Sequence, residues 1–379
     1  MEISDSMKYP RRMDWMENLF NLEELPELSE LISSLEKYKI LSTLPFEKVD
    51  FWNSCVTTVE SKPIHNVGAL KNLKLSLLRI AKILSEFLRG DYDAVLITGG
   101  EKSDLIYLAM VRCLFWKNIP HIIVGAEWNI PSSKTKLFLQ KLYFHFVKKL
   151  ILEIQVYSRE EISIYSRSLS IPEDKFKRIP FSTTLIGYDF SPSNMGFILS
   201  GGSSFRDYKT FIEAAKKIPY PVEIGIPAGF PLNFGNLVGT SDNIKIHYGL
   251  PRTEFLKKTT QCKIMALPIV PNLKRSVGDQ SILNAMFYGK IVVATSSIGS
   301  RNYIVDGVNG FLVKESDPES WVETIDKVFK MNADEFERIS SNAIYTAKEI
   351  FSEKNMLMRI LHSLRDNLNI NDHLICPPL

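Results

Sequence analysis

Short apolar runs bounded by glycine, proline and polar turns alternate along the chain with stretches of helical periodicity, and this alternation restricts the fold more than any other feature. Neighbouring parallel strands need a crossover between them, and a helix of about a dozen residues supplies it. In the first half, "AVLIT" (94–98), "HIIVGA" (121–126) and "LILEIQVYS" (150–158) read as strands, with helices near 103–117 and 132–149 between them. "YKILST" and "CVTTVE" are earlier strand candidates, followed by a helix over about 70–89. A second series opens at "GFILSGG" (196–202) and continues through "PVEIGI", "NIKIHYG", "KIMALPI" and "KIVVATS", separated by helices such as "DYKTFIEAAKKI" and "SILNAMFYG". The pattern predicts an α/β chain of two Rossmann-like doubly wound domains facing across a cleft, over residues 1–185 and 195–346. The linker falls in "IPFSTTLIGYDFSPSN" (179–194), where proline, serine, glycine and asparagine concentrate and periodicity is lost. A final helical pattern, roughly 333–367, is long enough to return across that linker, so a C-terminal helix over about 347–370 is expected to pack on the first domain. The length of 379 residues suits two cores.

Composition excludes several classes. With 45% hydrophobic and 23% charged residues the chain is ordinary globular protein. No apolar run reaches the roughly 18–20 residues of a membrane span, and "MEISDSMKYPRRMDW" has no apolar signal core. A net charge of +3 is too small to imply nucleic acid. Cys55, Cys113, Cys262 and Cys376 lie far apart without paired spacing, and the six histidines show no ligand spacing. Reduced thiols, a cytoplasmic location and no metal are the expectation. One D-x-D triplet, Asp91-Tyr92-Asp93, directly precedes the strand 94–98, at the end opposite the ligand edge.

In open parallel sheets ligands bind beyond the carboxyl ends of the strands, so the useful residues follow strands. After 196–202 come Gly201 and Gly202, which allow close backbone approach, and then Arg206, placed to reach an anionic group. "SVGDQS" puts Gly278, Asp279, Gln280 and Ser281 at the start of a helix, where free N–H groups and the helix dipole favour phosphate. Capping by Ser276, Asp279 or Ser281 is the plainer reading of the same residues. Asn284 stands on the apolar face of that helix and needs a partner, either a ribose hydroxyl or a backbone group. His247 and Gly249, with Leu267 and Pro268, follow the middle strands and are candidate walls for a nucleobase. In the first domain, Gly99 and Gly100 follow one strand; Glu127 and Trp128 follow the next. These face an acceptor, with Glu127 the candidate for orienting or deprotonating its hydroxyl and Trp128 for stacking on a sugar ring or packing on the sheet.

The block "LNAMFYGKIVVATSSIGSRNYIVDGVNGFLVKESDPESWVETI" resembles the nucleotide-sugar-binding motif of GT-B glycosyltransferases, especially the retaining family 4. That motif reads close to E-x7-E-A-M-A-x-G-x-P-V-V-A-T, followed by D-G-x-N-G-F-L-V and D-P. The resemblance implies transfer of a sugar from a nucleoside-diphosphate sugar to a hydroxyl acceptor, with retention and without a metal cofactor. The departures fall on the motif's charged residues. Asn284 stands where the family's second glutamate holds the ribose. Ser276 stands where the first contacts the sugar, leaving Asp279 or Gln280 to take over that contact. The family's arginine and lysine on the diphosphate are reduced to Arg206, with Lys274 or Arg275 available as a second positive charge. Two rival functions fit the same fold: a nucleotide-sugar epimerase, which needs further cleft carboxylates, and an inactive binding protein, which would explain the absent glutamates.

The helix "SSKTKLFLQKLYFHFVKKL" (132–150) combines Lys134, Lys136, Lys141, Lys148 and Lys149 with Leu137, Phe138, Leu142, Phe144 and Phe146. It fits peripheral contact with an anionic membrane, as a lipid-linked acceptor would require, and it equally fits a crossover helix with its lysines in water.

Overall fold

The structure is a computed structural model that describes residue 16 and residues 19–59, 69–114, 119–185, 187–202, 205–228 and 241–375. It is an α/β two-domain fold built on two six-stranded parallel sheets. The first contains β1 (Ile40–Ser42), β2 (Thr57–Thr58), β3 (Ala94–Thr98), β4 (His121–Val124), β5 (Ile151–Val156) and β6 (Phe176–Arg178), in the order β2-β1-β3-β4-β5-β6. Its helices are α1 (Leu28–Leu35), α2 (Asp50–Cys55), α3 (Ala69–Arg89), α4 (Lys102–Leu114), α5 (Lys134–Val147) and α6 (Arg159–Leu169). From β2 onward each step along the chain moves the same way across the sheet, so right-handed crossovers put α3 to α6 on one face. The shared core of Ile83, Phe87, Tyr107, Val111, Phe144 and Tyr165 fills the space beneath them.

The second sheet holds β7 (Ile198–Gly201), β8 (Val222–Ile226), β9 (Ile244–Tyr248), β10 (Ile264–Leu267), β11 (Ile291–Thr295) and β12 (Phe311–Val313), in the order β12-β11-β10-β7-β8-β9. This is the doubly wound order, and strand direction of travel reverses between β7 and β10. On one face α7 (Tyr208–Ala215) and α10 (Pro318–Lys330) pack through Phe211 and Trp321, whose rings meet edge to face. On the other lie α8 (Arg252–Gln261) and α9 (Asp279–Phe287), the latter burying Ile282, Leu283, Ala285 and Met286.

The long C-terminal helical pattern divides into two. Helix α11 (Ala333–Tyr345) ends in a wider π turn at Thr346–Ile350, and α12 (Glu353–Ile375) starts afresh behind Ser352, whose Oγ accepts from Asn355 N. Helix α12 lies on the first sheet: Leu357, Ile360 and Leu361 share a core with Ile40, Leu96 and Ile122. Buried Glu153 on β5 accepts hydrogen bonds from Ser363 and Asn367 of that helix. The chain therefore crosses between the sheets twice, at 179–197 and at 346–352, and the crossings touch where Thr183 N donates to Phe351 O at 3.2 Å. Residues 115–118, which end the helix expected to reach 117, and Cys376 lie outside the described residues; Cys55, Cys113 and Cys262 are free thiols.

Candidate active site

At the reversal of the second sheet, the loops leaving β7 and β10 are tied together. Asp207 N donates to Pro268 O at 3.0 Å and Val270 N to Phe205 O at 3.1 Å, making a bridge between Arg206 and Ile269. Gly202 has φ +102°, and a Cβ there would stand 3.1 Å from the Arg206 guanidinium. Glycine lets the arginine fold back across its own loop, where Nε donates to Gly201 O at 3.0 Å.

Helix α9 begins at Asp279, two residues before the expected Ser281. Its N-cap is Gly278 at φ +93°, which has no side chain to cap the first turn. The start of α9 lines a cavity of about 310 Å³, together with Gly202, Arg206, Arg275 and Ser276–Gly278, and from the other side Glu127 and Phe181. Arg275 crosses the cleft: its Nη1 donates to Glu127 O at 2.8 Å and lies 3.4 Å from the Glu127 carboxylate. Two guanidinium groups and a helix start on one wall, with a carboxylate opposite, suit a dianionic ligand and a proton acceptor.

Behind the cavity lies a buried polar chain joining the domains. Glu161, on α6, forms a capping box with Ser158 and also accepts from Ser276 N of the second domain at 2.7 Å. Ser276 Oγ donates to Asp279 Oδ1 at 2.5 Å. Tyr303 hydroxyl accepts from Phe181 N at 3.0 Å and bonds the Asp279 carboxylate. Burial pushes the Glu161 carboxyl up to about 8, against the pull of the N–H donors from Ser276 and Ser158, with nearby Asp279 and Glu127 adding to the rise. Asp279 is raised by the same burial.

Residues 237–346 match the family described as Glycosyl transferases group 1. No curated protein matches the chain. A solved glycosyltransferase from Rickettsia africae is 18% identical, with 89% of this chain and 94% of that one covered at a TM-score of 0.62. Anabaena Alr3699/HepE in complex with UDP-glucose is 15% identical over 90% and 97%, at 0.62. Sucrose-phosphate synthase from Thermosynechococcus elongatus is 13% identical over 83% and 84%, at 0.60. The chain has the two-domain GT-B fold of these structures, and its residues 237–346 carry the group 1 match.

The structure brings together on one cavity Glu127, Gly202, Arg206, Gly278, Asp279, Gln280 and Ser281. Gly201 stands directly behind them, ending β7. Asn284 lines a smaller adjoining recess of about 110 Å³ with Phe255 and Met265, and Gln280 and Ser281 belong to both spaces. The Asn284 amide is held by Thr184, through backbone at one end and the side-chain hydroxyl at the other: its Oδ1 accepts from Thr184 N at 3.0 Å and its Nδ2 donates to Thr184 Oγ1 at 3.1 Å. Gln280 bonds the same hydroxyl at 2.6 Å.

Other expected residues stand elsewhere. Lys274 is exposed and outside the cavity, and Arg275 takes the place beside Arg206. His247 and Gly249 are at the end of β9, an edge strand two strands from the reversal, and His247 Nε2 bonds Glu223 at 2.8 Å. Leu267 is fully buried within β10, and the Pro268 carbonyl is taken by Asp207. Trp128 does not offer a face to a sugar: it is buried against Phe144 and Tyr165, and its Nε1 donates to Gly99 O at 2.9 Å. Gly99 and Gly100 line none of these cavities, because the reversal of the first sheet is filled by a buried ion pair. Arg79 Nε lies 2.7 Å from Asp104 Oδ1, and Thr43 and Thr98 N bond the same carboxylate. Asp93 of the D-x-D triplet accepts from Lys39 N at 2.8 Å ahead of β3, at the edge of the sheet away from the cleft.

Glu161, Phe181 and Thr184 are the residues that strand-following rules missed. Glu161 carried a signal, the S-x-x-E spacing of a capping box after β5; Phe181 and Thr184 sit in the linker, where no periodicity marks a role.

Proposed function

We propose that this enzyme moves a sugar from a nucleoside-diphosphate sugar to a hydroxyl acceptor, with retention at the transferred carbon. The observation that carries the reading is the convergence of Arg206, Arg275 and the uncapped start of α9 on one cavity with Glu127 across it. Charge grows on the leaving diphosphate as the sugar–phosphate bond breaks. Fixed guanidinium groups and N–H donors stabilise that charge without reorganising, which is the part a divalent cation plays elsewhere. Glu127 orients the acceptor hydroxyl or takes its proton. The nucleoside lies toward the recess of Phe255, Met265 and Asn284. The UDP-glucose in the Anabaena relative supports a nucleotide-sugar donor, and the resemblance of 283–325 to the family 4 motif supports retention. Unpaired Cys55 and Cys262, both buried, suit a reducing cytoplasm.

The test is nucleotide release from a panel of nucleotide sugars, with and without hydroxyl acceptors, and NMR of the product anomer. Release that depends on an acceptor supports transfer. Epimer formation without an acceptor would favour the epimerase reading, and binding without turnover the inactive one.

A further inference from the structure

The outer surface of the first domain carries a feature that sugar transfer does not use. Among the described residues thirteen large hydrophobic side chains are exposed, and ten of them stand on α3, α4 and α5. On α5 the exposed set is Phe138, Leu139, Leu142 and Phe146, at 42–64% exposure. The sheet-facing sides of these helices are already apolar, through residues such as Phe87, Tyr107 and Phe144. Each helix is thus apolar on two sides, and a core needs only one. Beside α5 a groove of about 520 Å³ continues the patch between Phe138, Leu142 and Ile171, with Lys141, Lys148 and Lys175 in its lining.

Charge is concentrated on the same helices. They hold ten lysines and arginines against two acids, in a chain whose totals are 46 and 43. Arg79 and Asp104 form a buried pair that cancels, which leaves nine cations against Glu86, itself bonded to Tyr92 and 4.0 Å from Arg89. The surface is therefore both apolar and cationic.

We propose that this face docks on an anionic lipid bilayer, with the α5 aromatics entering the headgroup region and the lysines meeting lipid phosphates. Both halves of the pattern are then matched. A second copy of the chain would bury the apolar side chains but oppose like charges; a nucleic acid would match the charges and leave the apolar side chains in water. Helices α4 and α5 leave the carboxyl ends of β3 and β4, so the docked face would adjoin the cleft edge that carries Glu127. No helix among the described residues is long and apolar enough to cross a membrane, which agrees with docking at the surface. The proposal goes beyond sugar transfer and does not rest on it.

The experiment is co-sedimentation of the full chain with phosphatidylcholine vesicles, alone or mixed with phosphatidylglycerol. Partition into the mixed vesicles should be at least about tenfold stronger and should fall as salt rises, because screening shortens the reach of the lysines. The double variant Phe138→Ser with Leu142→Ser should lose most of it, keep its thermal unfolding temperature, and release nucleotide in the presence of a water-soluble acceptor at the unaltered rate. A charge-reversed variant, Lys134→Glu with Lys136→Glu, should lose the salt-dependent part. Equal partition into both vesicles, or undiminished partition of the folded variants, overturns the proposal. Concentration-dependent dimers with no partition overturn it in favour of self-association. Failure of sugar transfer would appear only in nucleotide release, so the two readings fail separately.

Discussion

Arg206 is the residue on which the two readings, by sequence and by structure, coincide most closely. It follows a strand and two glycines in the sequence, and in the fold it lies over those glycines at the reversal of the sheet. Arg206→Ala should weaken nucleoside-diphosphate binding by about 1.5–3 kcal/mol, the scale of a charge-assisted hydrogen bond; titration calorimetry checks it, and unchanged affinity would remove Arg206 from the site. Asp279 and Asn284 were legible as positions but not as geometries. Asp279 lines the cavity, yet its carboxylate is held by Ser276 and Tyr303, and Asn284 is engaged by Thr184. Asn284→Ala should weaken nucleotide and nucleotide sugar alike. Asp279→Ala should spare the bare nucleotide and lower turnover, a split that steady-state kinetics beside direct binding measures. An equal loss in both measurements for Asp279→Ala would make this turn a phosphate site alone. Trp128 shows why loop aromatics resist reading from sequence: only tertiary packing decides which face of an indole is covered.

Strands and their crossover helices were readable because an apolar run of four or five residues between turn residues has few other uses in a soluble chain. The division of the last helix was not. "IYTAKEIFSEKNM" contains neither glycine nor proline, and the break at 346–352 comes from packing, with Ile350 and Phe351 drawn into the second core while Met356 and Leu357 belong to the first. The start of α9 is the element that function depends on. Gly278 holds a left-handed conformation that costs other residues about 1–2 kcal/mol. A Cβ there would also stand 3.3 Å from Ile269. Gly278→Ala should lower stability to denaturant by about that amount and weaken diphosphate binding, since the N–H groups it positions would turn. Full stability with full affinity would contradict the role given to this turn.

Across the whole molecule, the cleft is joined by a buried acid. The raised Glu161 carboxyl keeps its proton in the folded chain through a range where the unfolded chain has lost it. Folding stability should therefore fall as pH rises from about 4.5 to about 8, and level off above. Thermal unfolding across that range should show the decline, and Glu161→Gln, which cannot ionise, should flatten it; an equal slope in the variant would place the titration elsewhere. The two crossings of the chain carry a mechanical consequence. A single linker would let the domains swivel in any direction, whereas two linkers bonded to each other at Thr183 and Phe351 act as adjacent pins on one axle. Thr184, next to that axle, can keep hold of Asn284 and Gln280 while the sheets rotate. The Arg275–Glu127 and Arg301–Glu160 pairs join the two domains away from both crossings, so a rotation about that axle stretches these pairs before it strains the crossings.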